Sequence, residues 1–381
     1  MTTSRLSISE SSLSHPTDPT SSATAVVFRG DGEPKSPDLL LSGLARANSG
    51  IGLETDSYSL GGSVKQLEDH FAQLLGKEAA IFMPTGTLAN HLAIRALCGV
   101  QPRAIVQEQS HLYHDSGDCV TQLSGINLIP LAHGKPSFTL EEVQHTVTES
   151  GAGRVDRPVG ALMIESPVRR QMGQVTPYDD MQDITAFCRS QGIGTHLDGA
   201  RIYMMSAATG ISPAQYAALF DTVYVSLYKY FGAPFGAILA GAAPIIEGMY
   251  HTRRMFGGGL ASSYFAAALT LQGLEGFEVR FQEAMDQAKI LLHQLSELPG
   301  LQVSEFKHGS NIFPMRLDDS VDSNRFIELL RTSDIFVYPE EGSSTLSSLT
   351  VNTTILRQSA DTILSAFRDA LSACYGLIPT I

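Results

Sequence analysis

The chain has 381 residues, with 26 Lys plus Arg against 39 Asp plus Glu for a formal charge of −13, and 43% of it is hydrophobic. At roughly 100 to 200 residues per domain, this length permits two or three domains and a large core. The acidic balance and the lack of any Lys/Arg-rich run exclude a nucleic-acid or anionic-membrane surface, both of which need a clustered positive field. No stretch approaches the ~20 apolar residues of a membrane helix. The four cysteines Cys98, Cys119, Cys188 and Cys374 show no C-x-x-C spacing, so neither a metal site nor a disulfide framework is expected. These features suit a cytoplasmic protein with a small-molecule ligand.

Residues 1–25 are dominated by Ser and Thr, a composition that buries too little surface to offset its ordering entropy, and a disordered tail is expected. From Ser63 the pattern is helical, with a capping box from Ser63 to Gln66 and Val64, Leu67, Phe71 and Leu74 on one face. Gly76 ends that helix. An apolar strand Ala79 to Met83, a turn at Pro84-Thr85-Gly86, and a helix from Thr87 to Leu97 follow.

Apolar runs at 104–106, 128–131, 160–164, 193–197, 222–227 and 236–240 alternate with helical stretches at 139–148, 178–190 and 213–220. Fully apolar strands between helices imply a mainly parallel sheet covered on both faces, and hence a large α/β domain. Beyond Gly257-Gly258-Gly259 a helical region runs from Ser262 to Leu298. Strands at Ile312 to Leu317, Ile335 to Tyr338 and Leu349 to Asn352, with helices at Ser323 to Thr332 and Ser359 to Cys374, then predict a smaller α+β domain.

Four local features carry chemistry. Pro84-Thr85-Gly86-Thr87 lies between a strand and a helix, where free N–H groups and the helix dipole suit a phosphate or serve as an ordinary cap. His196-Leu197-Asp198-Gly199-Ala200-Arg201 puts a carboxylate and a guanidinium at a strand end, where α/β sheets bind ligands. Lys229 leaves another strand among aromatic residues, and desolvation there favours the nucleophilic amine. His111 follows the strand at 104–106. A lysine, a carboxylate, a phosphate cradle and a flat ring on successive strand ends are the set that pyridoxal phosphate (PLP) requires.

In P-T-G-T-L-A-N (84–90), S-H (110–111), H-L-D-G-A-R (196–201), S-L-Y-K (226–229), G-A-P-F-G (232–236) and G-G-G (257–259), the sequence resembles the threonine aldolase and aromatic amino acid β-eliminating lyase family. These are PLP enzymes of the aspartate-aminotransferase fold (fold type I). The resemblance implies a PLP-binding large domain with an N-terminal arm over 26–260 and a small C-terminal domain with its linking helix over 261–381. It makes Lys229 the covalent anchor of PLP, Asp198 the partner of the pyridine nitrogen and His111 the stacking ring. Gly86 and Thr87 become phosphate donors, and Arg201 lies beside the ring and the substrate carboxylate. Arg254 matches a basic position reaching a neighbouring subunit's phosphate, which implies a homo-oligomer, tetramer or dimer.

Three departures bear on the reaction. Gly30 stands where the family has a serine that touches the substrate carboxylate. Val168, in E-S-P-V (165–168), stands where a histidine holds the substrate hydroxyl. The carboxylate-clamping arginine of the family's R-L-V-T-H strand is absent from Ser348-Leu349-Thr350-Val351-Asn352. Arg169 and Arg170 are candidates to replace it from another direction or else solvated loop arginines, with Arg357 a weaker candidate. The expected activity is cleavage of a threonine-like β-hydroxy-α-amino acid to glycine and an aldehyde. The alternatives are β-elimination, transamination, or PLP binding without turnover.

Overall fold

The computed structural model describes residues 22–340 and 346–374. Most of the Ser/Thr-rich tail lies outside the described residues. Its last part is anchored, however, because Ser22 and Thr24 donate their hydroxyls to Asp334 Oδ2 at 2.8 and 2.6 Å.

A seven-stranded sheet forms the centre. Its strands are β2 (Ala79–Met83), β3 (Arg103–Gln107), β4 (Asn127–Leu131), β5 (Val159–Glu165), β6 (Gly194–Asp198), β7 (Thr222–Ser226) and β8 (Ala237–Gly241), in the spatial order β2-β8-β7-β6-β5-β3-β4. Only the pairings of β8 are antiparallel, so β2 runs in the same direction as the five parallel strands. Every residue of β5, β7 and β8 is buried. Helices cover both faces, which is why these strands read as continuous apolar runs rather than alternating ones. Because β2, β3, β5, β6 and β7 share a direction, their C-terminal ends lie along one edge, and the residues following them converge there.

The C-terminal third builds a three-stranded antiparallel sheet from β9 (Leu301–Val303), β10 (Ile312–Leu317) and β12 (Leu346–Thr350). The arm strand β1 (Val26–Val27) pairs in parallel with β11 (Ile335–Phe336). The arm, grouped by sequence with the large domain, is thus stitched to the C-terminal third before it crosses to the sheet edge. None of the helices is long and apolar enough to cross a membrane, among the described residues.

Two local expectations fail for identifiable reasons. The helix Gly62–Leu75 is capped at Gly61 with no side-chain bond, because Ser63 Oγ instead accepts the Glu54 N–H. The single helix expected from Ser262 is two, Tyr264–Leu274 and Phe277–Ser296, parted at Gly276 in the left-handed region with φ +63°, a conformation glycine adopts without steric cost.

Candidate active site

The turn after β2 starts the helix Gly86–Cys98, with the Thr85 hydroxyl accepting the Leu88 N–H at 3.1 Å. That leaves other first-turn N–H groups for an anion. A Cβ on Gly86 would lie 2.1 Å from the Tyr224 hydroxyl oxygen, so only glycine lets the cradle sit against β7. Gly86→Ala is expected to weaken PLP binding about tenfold or more while leaving the fold intact, since overpacking of this kind costs ~1–3 kcal/mol. Titration with PLP, read alongside thermal unfolding, checks this.

Asp198 ends β6 with 2% exposure, held by a buried relay. Asn90 Nδ2 donates to its Oδ2 at 2.6 Å and the Ala200 N–H to its Oδ1 at 3.1 Å. His196 Nε2 lies 2.9 Å from Asn90 Oδ1, and its Nδ1 lies 2.8 Å from Thr222 Oγ1. Burial pushes His196 down to about 4, so the ring is neutral. Asn90 uses its amide N–H on the carboxylate, and its oxygen therefore accepts from His196 Nε2–H. The imidazole tautomer is fixed by the network.

Glu165 ends β5. Its Oε2 accepts the His111 N–H at 2.6 Å and its Oε1 the Arg169 N–H at 3.0 Å. One carboxyl group thereby ties together the loops that carry His111 and Arg169. Gln107, ending β3, brackets the Glu165 backbone from the other side, at 2.8 Å to its carbonyl and 2.7 Å from its N–H. Burial and then the negative charge of Asp198 push the Glu165 carboxyl up to about 7.

Lys229 follows β7, its Nζ 5.3 Å from the Tyr228 ring centroid and 6.0 Å from that of Tyr224. Burial foremost, then the Arg201 charge, lowers it to about 8. Arg201 in turn donates Nε–H to Asp31 at 2.8 Å, joining the arm to the sheet edge. The arm passes so close that a Cβ on Gly32 would lie 2.6 Å from both the Lys229 carbonyl oxygen and Tyr230 Cα.

Gly86, Thr87, His111, Asp198, Arg201, Lys229 and Arg169 all line one cavity of about 950 Å³, together with Gly30 and Asp31. Arg170 is not on its wall; it points its Nη1 at Asp115 Oδ1, 3.3 Å away. Arg254 is exposed and stacks on the Tyr58 ring at 4.3 Å, off the wall of its own chain's cavity. Arg357 is spent on Glu33 at 2.8 Å. Val168 is fully buried and off the wall. Sequence reasoning assigned no role to Glu165, Asn90, His196 or Arg29. A buried-strand glutamate and an asparagine on an apolar helix face were the available signals for the first two.

The cavity suits PLP: a glycine-only helix start for a phosphate, a buried carboxylate held by an amide, and a lysine kept near neutrality by burial. A mainly parallel sheet with these groups on one edge defines a PLP-dependent enzyme of fold type I. The β-eliminating lyase family model matches residues 43–317, and the chain belongs to that family. It is 29% identical over 271 residues to the low-specificity L-threonine aldolase of Candida albicans, covering 70% of this chain and 71% of that one. It is 30% identical to the low specificity L-threonine aldolase of Escherichia coli K12, covering 64% and 72%. The stretch matching the Saccharomyces cerevisiae enzyme of that name spans 59% of that protein. A solved Listeria monocytogenes structure, provisionally assigned as an L-allo-threonine aldolase, superposes with a TM-score of 0.77 at 26% identity, over 93% of this chain and 98% of that one.

Proposed function

We propose that this protein is a PLP-dependent carbon–carbon lyase of threonine-aldolase type, cleaving a β-hydroxy-α-amino acid to glycine and an aldehyde. What carries the reading is a single cavity wall that combines Lys229, Asp198 and His111 with the Gly86-Thr87 helix start, in a chain of this family. PLP, when bound, supplies the sink for the electron pair left by Cα–Cβ cleavage. Lys229 holds the cofactor, and Gly86 and Thr87 offer N–H groups to its phosphate. Asp198, fixed by Asn90, keeps a proton on the pyridine nitrogen. His111, its backbone pinned by Glu165, would offer its ring as the stacking surface for the cofactor and take the β-hydroxyl proton directly or through a water. Arg201 and Arg169 add positive charge on the substrate side, and Arg170 holds Asp115 beside Arg169.

The working unit is a homo-oligomer, dimer or tetramer, in the cytoplasm. In support, Tyr58, Leu60, Met255 and Phe265 are exposed apolar side chains around a loop tied by Ser59 Oγ to Ser263 Oγ at 2.6 Å, next to Arg254. The four cysteines are all free.

Val168, apolar and buried where a hydroxyl-holding histidine would stand, favours one second reading: β-elimination, in which Lys229 removes the Cα proton. The PLP-loaded protein is incubated with threonine, allo-threonine and phenylserine. Aldehyde and glycine in equal amounts are expected. Ammonia and a 2-oxo acid without aldehyde would replace the aldolase reading with elimination.

A further inference from the structure

The acidic groups Asp31, Glu33, Asp115, Glu165 and Asp198 line the same cavity, so a substrate carboxylate needs a dedicated cation there. Three arginines share the wall: Arg29, Arg169 and Arg201. Arg201 is paired with Asp31 at 2.8 Å, and Arg169 Nη1 lies 3.6 Å from Asp115 Oδ2. Arg29 pairs with no acid among the described residues. Its guanidinium lies over the Tyr338 ring at 4.8 Å from the centroid. Stacking of this kind fixes the plane of the fork while leaving its edge N–H groups free to take a carboxylate bidentately.

The backbone under Arg29 is held at both ends. Asn352 Nδ2 donates to the carbonyls of Val27 at 2.9 Å, Gly30 at 3.1 Å and Arg29 at 3.4 Å. Phe28 N–H donates to the Phe336 carbonyl at 3.0 Å, and three residues beyond Arg29 the arm rests on the Lys229 backbone through Gly32. Ser348, at the position of the family's clamping arginine, lies on β12. The segment that continues β12 ends in Asn352, which fastens the arm. The segment lacking the guanidinium therefore positions another one from a different direction.

We propose that Arg29 is the specificity-determining residue that binds the α-carboxylate of the amino acid. This rests on reading the cavity as an amino-acid site on PLP. Arg29→Ala and Arg29→Lys holoenzymes are titrated with glycine and with glycinamide, following the cofactor absorbance, and PLP affinity is measured separately. Loss of a charge-assisted fork is expected to weaken glycine binding about 10- to 100-fold in Arg29→Ala. Arg29→Lys should be intermediate, with glycinamide and PLP binding unchanged. Equal weakening of glycine and glycinamide would overturn the proposal, leaving Arg29 a structural role. So would unchanged glycine binding beside a loss in Arg169→Ala, which would make Arg169 the clamp. A wild-type holoenzyme that responds to no amino acid would sink the underlying reading instead. Because glycine binding needs no turnover, absence of aldehyde release alone would leave the Arg29 result standing.

Discussion

Lys229→Ala is expected to reduce aldehyde release by at least ~10⁴-fold, since proton transfer alone contributes ~10²–10⁴ and covalent capture of the cofactor is lost with it. Lys229→Arg should be equally inactive: it keeps a cation but never presents a free amine. The pair therefore separates nucleophile from charge. In the wild-type apoprotein, burial and Arg201 lower Lys229 to about 8, so the rate of PLP capture should rise with pH and level off above that value. A midpoint near the ordinary lysine value would mean that water reaches the amine freely. The same shift has a stability consequence. The folded value lies below the unfolded 10.5, so the cost of the buried ammonium is fully present below about pH 8 and is relieved between pH 8 and 10.5. Lys229→Met apoprotein should accordingly melt higher than wild type at pH 7 and match it above pH 10.5, as thermal unfolding across that range would show.

The large sheet was legible because burial on both faces leaves an unambiguous mark. β5 and β7 read as apolar runs bounded by polar residues, and Asp198 and Lys229, both on the cavity wall, stand at or just past the ends of such runs. The helix break at Gly276 was hidden because apolar spacing continues through it. Gly273 stays inside the first helix while Gly276 parts the two, so a glycine in a helical pattern does not by itself mark a corner. Ser63 shows the opposite error: its spacing to Gln66 suits a cap, yet the hydroxyl is taken by Glu54 from a loop that local patterns do not place.

On the cavity wall, the groups attached to recognisable turns were legible in the sequence, and those acting across strands were not. Glu165 works through two backbone N–H groups from separate loops, and Arg29 reaches the wall only because Asn352 and Gly32 pin the arm at either end. Neither relation follows from spacing along the chain, since the partners are more than 50 residues apart for His111 and Glu165 and more than 300 for Arg29 and Asn352. The arginine pair at 169–170 illustrates the same limit. Adjacent in sequence on a 3₁₀ turn, both turn a guanidinium to Asp115, yet only Arg169 lines the cavity wall.

Asp198→Asn should lower kcat by about 10²–10⁴-fold, because removing one member of a buried ion pair costs ~3–5 kcal/mol and each ~1.4 kcal/mol is tenfold in rate. In the proposed mechanism the charge lost is the one that would keep the pyridine nitrogen protonated, and that protonation is what would make PLP an effective electron sink. The surrounding relay sharpens the expectation. Asn90 Nδ2 donates to Asp198 Oδ2 and the Ala200 N–H to its Oδ1, so an asparagine at 198 sets its amide N–H₂ against one of these donors whichever way it turns, and with its oxygen kept on Asn90, the stronger contact, the N–H₂ takes the other side of the site. An N–H facing the ring nitrogen favours the unprotonated pyridine, the reverse of what the carboxylate does. Asn90→Ala should be milder, about tenfold, since it removes a neutral–charged hydrogen bond worth ~1.5 kcal/mol but leaves the charge in place. It also leaves His196 Nε2–H without its acceptor. Steady-state kinetics of both variants, with PLP affinity measured independently, test the ordering. An Asn90→Ala loss as large as that of Asp198→Asn would mean that orientation of the carboxylate, rather than its charge, governs the step.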